Sequence, residues 1–252
     1  MKKRLTVFAV LCLILSILAA LGLIYYKKNG NPFSGNRGYD RTHHNPDVTT
    51  KQQIDAILNT FEKVSYSEVD KTYLKETKSN RSKYKKMLKN GTYYKVPSDS
   101  ILHKIVGKNR IRNFIPKDKY YKSRKSSDNK YLYWLLDKRI LYKVLALQDE
   151  LEKLGHNRNA FYIRSGYRHP HYNDKIGGAT RSQHLTGKAV DISVQDINQD
   201  GKYTNADKKI VLKLAEDKII KNEGGVGLYP GTRSVHLDVR GHKARWNSYS
   251  RK

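Results

Sequence analysis

The chain contains almost no cysteine. Cys12 is the only one among 252 residues, so an intrachain disulfide is excluded. It follows Leu11 in the middle of an apolar run, which argues against the lipid-modified cysteine of a lipoprotein. No internal repeat is visible either. Neither a disulfide framework nor a repeat architecture is therefore expected.

Acidic residues are scarce relative to basic ones. The chain has 23 Asp and Glu against 50 Lys and Arg, a formal net charge of +27. Residues 1–130 hold 28 basic and 10 acidic residues, and residues 131–252 hold 22 and 13. Such a charge attracts anionic partners over long distances. Nucleic acid would be the default partner of a cytosolic chain, but an exported chain meets anionic wall polymers and lipid head groups instead, and we favour these.

Long uncharged apolar stretches are absent except at residues 5–26. This run is long enough to cross a bilayer core of roughly 30 Å as a helix. A basic cluster precedes it, so residues 1–4 are predicted to be a cytoplasmic tail and residues 5–26 a single-pass membrane anchor, with the remaining chain on the outer, periplasmic or extracellular side. A cleaved signal peptide is the alternative, because residues 20–22 resemble a cleavage site. The apolar run exceeds the usual signal core of roughly 7 to 15 residues, which favours the anchor.

Two segments are predicted between the anchor and the main domain. Residues 27–50 are rich in Gly, Asn and Pro and form a linker. Residues 51–95 form a basic accessory region, which begins with a helix capped by Thr50. Lysine alternates there with tyrosine and serine, a composition that suits contact with a wall polymer or a membrane surface. A solvated face with lysine stems lying on apolar surface is the alternative.

Residues 96–252 are predicted to form an α+β domain, a small antiparallel sheet packed against helices. Apolar residues recur at helical spacing over residues 131–154, and Gly155 closes that helix. The other predicted elements are a helix over residues 206–220 and strands over residues 161–163, 189–194 and 234–239. The long helix is expected to support the sheet.

Two histidines and a carboxylate stand out in this domain. His184 precedes Asp191 by seven positions in SQHLTGKAVD, and His236 follows in the strand-like run SVHLDV. Two imidazoles and one carboxylate form the ligand set of a catalytic zinc that keeps a fourth position open. Strand alternation places Asp191 opposite a buried face, and it places His236 and Asp238 on one face. The pattern predicts a metallohydrolase.

Several motifs resemble a known family. SGYR, GGA, SQHLTGKAVDI and GVGLYPGTRSVHLDVRG are similar to sequences of the D-alanyl-D-alanine carboxypeptidase family of zinc peptidases, which also contains dipeptidases and peptidoglycan endopeptidases. The resemblance covers roughly Pro97 to Trp246 and is closest to the zinc D,D-carboxypeptidases. It implies zinc ligands at His184, Asp191 and His236.

The resemblance also implies roles for three further residues. Arg168, in the SGYR turn, is expected to bind a substrate carboxylate or to steady the oxyanion, for which its planar fork is suited. Ser182 and Gln183 are expected to shape the loop before the first ligand or to contact the peptide.

One departure from the family pattern concerns the general base. Many members carry an acidic residue three positions before the last ligand, where this chain has Arg233, and others carry a histidine two before, where it has Ser234. Asp238 is the nearest acidic group on the face of His236, so we predict that it exchanges protons with the water activated by zinc. The alternative role for Asp238 is to orient His236.

A second ion site is predicted directly after this region. Residues 196–207 read DINQDGKYTNAD, which matches the twelve-residue calcium loop of EF-hands and dockerin-type modules. Gly201 occupies the turn position, and an ordinary polar turn before a helix is the alternative. The predicted calcium ligands are Asp196, Asn198, Asp200, the Lys202 carbonyl and Asp207.

These observations together predict a membrane-anchored zinc peptidase that hydrolyses peptidoglycan stem peptides, as a D,D-carboxypeptidase. A peptidoglycan endopeptidase of other bond specificity is one alternative. A catalytically weakened module that binds cell wall is another, because the family base is missing at Arg233 and Ser234. For a nucleic-acid binder the charge is the sole evidence.

Overall fold

The computed structural model describes residues 45–116 and 131–247. The predicted tail, the anchor at residues 5–26 and most of the linker lie outside the described residues. Within the described part of the chain, no helix is both long and apolar enough to cross a membrane.

The first elements surround a small sheet. Helix α1 (Lys51–Leu58) is capped by Thr50, as predicted, since the Thr50 side chain accepts a hydrogen bond from the Gln53 amide. The Gln53 side chain in return accepts a hydrogen bond from the Thr50 amide. The elements that follow are β1 (Glu62–Val64), α2 (Lys71–Glu76), α3 (Ser82–Leu88), β2 (Tyr93–Pro97), β3 (Lys104–Val106) and β4 (Asn109–Arg110). Strands β1 and β2 pair antiparallel.

The predicted helix over residues 131–154 is wrong at its start. Residues Tyr131–Leu135 form strand β5, and helix α4 covers only Arg139–Lys153. Leu132 and Trp134 alternate with more exposed tyrosines, which is strand periodicity. Strand β5 pairs antiparallel with β2, so the sheet has the order β1-β2-β5.

The second sheet carries the predicted metal ligands. Its strands are β6 (Phe161–Ser165), β7 (Ala189–Val194), β8 (Gly225–Leu228), β9 (Ser234–Asp238) and β10 (Ala244–Asn247). Their order is β10-β8-β9-β7-β6. All neighbours are antiparallel except β10 and β8, which are parallel. The predicted α+β class is thus confirmed, with one parallel pair. Two further sheets were not predicted, the sheet β1-β2-β5 and the antiparallel pair β3-β4.

Helices complete this half of the molecule. Short helix α5 (Pro170–Lys175) and a 3-10 turn (Gln183–Thr186) lie between β6 and β7. Helix α6 (Asn205–Leu214) continues as a π-helix (Ala215–Ile220), whereas a single α-helix over residues 206–220 was expected. Gly155 has a φ of 74° at the end of α4, which is the expected C-terminal turn.

One hydrophobic core contains residues of the three-stranded sheet, the five-stranded sheet and helix α4. Core side chains before residue 96, among them Ile54, Tyr84 and Tyr93, are fully buried in it. The predicted boundary between residues 95 and 96 falls inside strand β2, and the described residues from Pro46 onward form one compact unit. The basic region 51–95 is therefore part of the same folded body as the predicted ligands.

Candidate metal centre

Strand register brings Asp191 and His236 together. These two residues are direct partners in the β7–β9 pair, and side chains of directly opposed residues lie on the same face of a sheet. Val190 and Ile192, on the other face of β7, are completely buried in the core. The alternation predicted from the sequence thus places both ligands on one face.

His184 reaches the same face from the 3-10 turn. This turn ends at Gly187, whose φ of 66° reverses the chain into β7. The amide of Asp137 donates to the Gly187 carbonyl over 3.1 Å, which ties the turn to the segment between β5 and α4. His184 itself is only 2% exposed.

The three side chains form a tight triangle. His184 Nε2 lies 3.2 Å from His236 Nδ1 and 3.2 Å from Asp191 Oδ1, and His236 Nδ1 lies 2.9 Å from Asp191 Oδ1. Ligand atoms on a tetrahedral zinc with bonds of roughly 2.0 to 2.2 Å are about 3.3 to 3.6 Å apart. Among the described residues this is the group of three or more His, Cys, Asp or Glu side chains that can hold a metal ion.

Hydrogen bonds behind the rings set the tautomer of each histidine. His184 Nδ1 donates to the Gly166 carbonyl over 2.7 Å, and His236 Nε2 donates to Asp238 Oδ2 over 3.0 Å. In the neutral forms, the lone pairs of His184 Nε2 and His236 Nδ1 then point toward each other and toward Asp191. Three electron-rich atoms at this distance suit a cation between them, and two imidazoles with one carboxylate are a donor set that fits zinc.

Burial and charge oppose each other in this cluster. Burial lowers the pKa of His184, which favours its neutral, metal-binding form. Burial would raise the pKa of Asp191, but the two imidazoles hold it well below its ordinary value. For His236, burial is outweighed by hydrogen bonds to Asp191 and Asp238, which raise its pKa. Asp191 is therefore an anion at neutral pH.

Asp238 lies on the far side of the His236 ring from the cluster. It is fully buried. Its oxygens accept hydrogen bonds from His236, from the Gly225 amide over 2.9 Å and from Arg240 over 2.6 Å. Burial opposes ionisation, yet His236 and Arg240 hold the pKa of Asp238 well below its ordinary value. This position fits the alternative role, orientation of the His236 ring, and proton exchange by Asp238 stays a prediction.

Arg168 is committed to the cluster rather than to open solvent. Its Nη2 donates to Asp191 Oδ2 and its Nε donates to Ser165 Oγ over 2.9 Å. The guanidinium therefore holds the Asp191 oxygen that does not face the histidines. Ser182 and Gln183, predicted to contact substrate, both line the cavity that opens onto the cluster.

This cavity has a volume of about 940 Å³. The loop 176–183 forms one wall, and Tyr229, Thr232 and Trp246 contribute to the others. Asp191 is the single carboxylate among the described lining residues. No general base of the acidic kind therefore stands beside the triangle in the described part of the chain.

The sequence reasoning missed the aromatic residues that line the cavity, Tyr172, Tyr229 and Trp246. The Trp246 ring centre lies 4.9 Å from that of His236, and the Arg240 guanidinium stacks on the indole at 5.2 Å. Gly227 permits this, because a Cβ there would lie 2.4 Å from the indole. Burial and the charge of Asp191 raise the pKa of Tyr229, so its phenol stays protonated at neutral pH. The motif GVGLYPG contains both Gly227 and Tyr229, but spacing alone assigns them no contact.

The predicted calcium ligands do not form a comparable cluster. Both Asp207 oxygens accept backbone hydrogen bonds, one from Ile197 over 2.8 Å and the other from Thr204 over 2.7 Å. Asp196 Oδ1 accepts from the amide of Asp200 over 3.1 Å, and Asn198 donates to the Asp200 carboxylate over 2.9 Å. The loop is thus closed by its own hydrogen bonds, and calcium binding stays a prediction.

Comparison with known proteins agrees with the geometry. Neither the curated proteins nor the solved structures contain a match to the chain. Members of the Peptidase M15 family depend on zinc, in keeping with the donor set above. Residues 128–238 match the family model Peptidase M15, and this match supports the assignment of that part of the chain to a family of zinc peptidases.

Proposed function

We propose that the protein is a zinc peptidase, anchored in the cell membrane through residues 5–26, that hydrolyses peptidoglycan stem peptides on the outer side. The observation that carries this proposal is the triangle of His184, Asp191 and His236, whose lone pairs converge at the floor of an open cavity. The match to Peptidase M15 supports the reaction class. Preference for a terminal D-alanine follows from the resemblance of SGYR and SQHLTGKAVDI to D,D-carboxypeptidases.

The chain's own residues divide the work at this site. His184, Asp191 and His236 would hold the ion, which when bound supplies Lewis-acid activation of a peptide carbonyl and of water. Arg168 fixes Asp191 and balances its charge, and Asp238 keeps His236 in the tautomer that exposes Nδ1. Ser182 and Gln183 lie on the cavity wall, where a bound peptide passes.

Metal analysis and product analysis test this proposal together. We expect one zinc per full-length chain, release of D-alanine from defined muropeptides, and loss of release with a chelator. A His184→Ala variant should lose both zinc and turnover. A His156→Ala variant is the matched control, because His156 lies outside the cavity, and it should keep both. Zinc-loaded protein that cuts no muropeptide would refute the proposal.

A second candidate is a wall-binding module with a weakened active site. The absence of a carboxylate other than Asp191 from the described cavity lining favours it. The same experiment separates the two candidates, because the binding module would retain muropeptides on the zinc-loaded chain without releasing any product over long incubation. Cleavage at an internal bond, in place of D-alanine release, would identify the endopeptidase alternative.

A further inference from the structure

Helix α6 contains a buried lysine that the chemistry described so far does not use. Lys208 is only 5% exposed, although lysine is almost never buried unless it is paired. Its ammonium donates to two backbone carbonyls, and among the described residues no carboxylate forms an ion pair with it. Burial lowers the pKa of Lys208. Burying an ammonium costs stability, which points to a role for the two contacts that it makes.

The two acceptors are the end residues of one tight turn. Lys208 Nζ donates to the Tyr229 carbonyl and to the Thr232 carbonyl, each over 2.7 Å. The Thr232 amide donates to the Tyr229 carbonyl over 3.3 Å. Gly231 between them has a φ of 71°, the positive value that the third residue of a type II β-turn requires. One ammonium therefore bridges the first and the last residue of this turn.

The turn Tyr229–Thr232 is part of the cavity wall, because both of its end residues line the cavity. The Thr232 hydroxyl is engaged next to the turn itself, since it donates to the Tyr229 carbonyl over 2.9 Å and accepts from the Ser234 amide over 3.1 Å. The Tyr229 phenol is protonated at neutral pH and can donate a hydrogen bond to a peptide carbonyl. Tyr229 is thus the side chain through which this turn can bind a peptide.

The metal ligand that follows the turn is held independently of Lys208. His236 lies on β9, which pairs with β7 and with β8, and these two ladders fix its position without the turn. A second contact next to the turn also remains when Lys208 is replaced, because the Arg233 guanidinium stacks on the Tyr203 ring at 4.2 Å. Loss of the Lys208 ammonium should therefore loosen the turn without displacing the metal ligand.

We propose that Lys208 is a positioning residue for the peptide substrate: its ammonium keeps the turn Tyr229–Thr232 in the cavity wall, so that the Tyr229 phenol contacts the peptide. The inference rests on the proposed function, since the peptide is the muropeptide that the metal centre would cleave. The effect of Lys208 should appear in KM and in peptide affinity rather than in kcat, because Lys208 acts on binding and not on the bond that is cleaved.

Kinetics of the full-length zinc-loaded chain test this proposal. Lys208→Met removes the ammonium and keeps a long side chain. We expect KM for a defined muropeptide to rise about tenfold with kcat within a few-fold, as for a contact made equally with substrate and transition state. Zinc affinity, measured by competition with a chromophoric chelator, should be unchanged. Lys208→Arg retains a charged donor and should recover part of the loss, and Lys208→Gln replaces the methionine variant if that variant does not fold.

Two further variants of helix α6 separate positioning from a simple loss of stability. Lys209→Met removes an exposed ammonium from the next position and should change neither Tm nor KM. Val211→Ala shortens a completely buried side chain, so it should lower Tm and leave KM unchanged. Hydrogen exchange with mass spectrometry provides a readout without catalysis, because the segment 229–234 should lose protection in Lys208→Met and keep it in Val211→Ala.

A double variant tests whether Lys208 acts through Tyr229. In a chain that already carries Tyr229→Ala, Lys208→Met should raise KM by less than about twofold, because residues that act through one contact are not additive. A further tenfold rise in that chain would overturn the proposed role.

The outcomes distinguish this inference from the proposed function. An equal rise of KM in Lys208→Met and Val211→Ala, or unchanged exchange of the segment 229–234 in Lys208→Met, overturns the role of Lys208 even if the muropeptide is cut. If the original chain binds the muropeptide without cutting it, about tenfold weaker binding by Lys208→Met in calorimetry supports Lys208 and the peptidase is refuted. If the original chain binds no muropeptide, both proposals fail.

Discussion

At the scale of single residues, the hydrogen bond made by one ring nitrogen of a histidine decides whether the other nitrogen presents a lone pair to a metal ion. His236 presents Nδ1 to the cluster because Nε2 is held by Asp238. Strand alternation was enough to place His236 and Asp238 on one face. Strand alternation could not predict which ring nitrogen donates to Asp238, because that depends on the rotation of the His236 ring. It also depends on Arg240, whose guanidinium donates to the same carboxylate.

This arrangement predicts the behaviour of an Asp238→Asn variant. Its zinc affinity should fall by about tenfold to a hundredfold, as is typical when the partner behind a ligating histidine is changed. With zinc in excess, kcat should stay within a few-fold of the original, because the residue does not face the cavity. Competition with a chromophoric chelator measures the affinity. A variant that holds zinc normally but loses turnover by orders of magnitude would restore Asp238 as the proton-exchanging group.

At the scale of elements, short-range patterns identified most segments but misjudged how they join. The strand–helix unit over residues 131–153 was predicted as a single helix, because its apolar residues fit both the two-residue period of a strand and the 3.6-residue period of a helix. The alternating burial of Leu132 and Trp134 arises from pairing with β2, a contact distant in sequence. The irregularity in β6, where Arg164 is an extra residue between Ile163 and Ser165 in the pairing with β7, was likewise missed, since a bulge depends on the register of two strands.

The turn at Gly187 shows how an element end positions a ligand. Its φ is positive, and a Cβ there would lie 2.1 Å from the Leu135 carbonyl oxygen. Gly155 also has a positive φ, but a Cβ there meets nothing within 4 Å. Gly155→Ala should therefore lower the free energy of unfolding by about 1 to 2 kcal/mol. Gly187→Ala should lower the free energy of unfolding by clearly more than Gly155→Ala, and it should also weaken zinc binding. Urea unfolding of both variants checks this, and equal losses would contradict the close contact.

The loop 196–207 allows the calcium hypothesis to be separated from simple capping. Asp207 is completely buried and accepts backbone hydrogen bonds with both oxygens. Asp207→Ala should thus reduce stability by about 1 to 3 kcal/mol even in calcium-free buffer, because buried N–H groups lose their acceptor. An Asp200→Ala variant, in which an exposed carboxylate is removed, should lower the melting temperature only when calcium is present. Melting curves of the original chain and both variants, with and without calcium, test this; no calcium-induced rise in Tm for the original chain would leave capping as the loop's role.

At the scale of the whole molecule, the basic charge lies close to the proposed active site. Helix α3 belongs to the stretch 81–89, which has five basic residues and no acidic one. Its Tyr84 is buried and donates to Asp174 on α5, the helix that leads toward the loop lining the cavity. The predicted accessory region is therefore joined to the half of the molecule that carries the predicted metal ligands. The sequence alone did not reveal this, because the buried tyrosines and leucines of the region alternate with many lysines.

This placement predicts that the stretch 81–89 holds the protein on an anionic surface while the cavity works on peptide. Four of its lysines are exposed, at positions 83, 85, 86 and 89. Replacing all four with glutamine should weaken retention by about tenfold or more, because each lysine near an anionic surface contributes on the order of 1 kcal/mol, and added salt should reduce the difference.

Full-length protein and isolated wall sacculi, with vesicles of anionic lipid in a parallel series, provide the measurement. The matched control replaces four other exposed lysines, at positions 209, 213, 218 and 221, with glutamine. If location rather than total charge decides the contact, only the first set weakens retention, and both sets leave cleavage of soluble peptides unchanged. Equal losses from the two sets would mean that the net charge alone attracts the protein. Weaker retention on sacculi but not on vesicles would identify the wall polymer, and not the membrane, as the surface that helix α3 contacts.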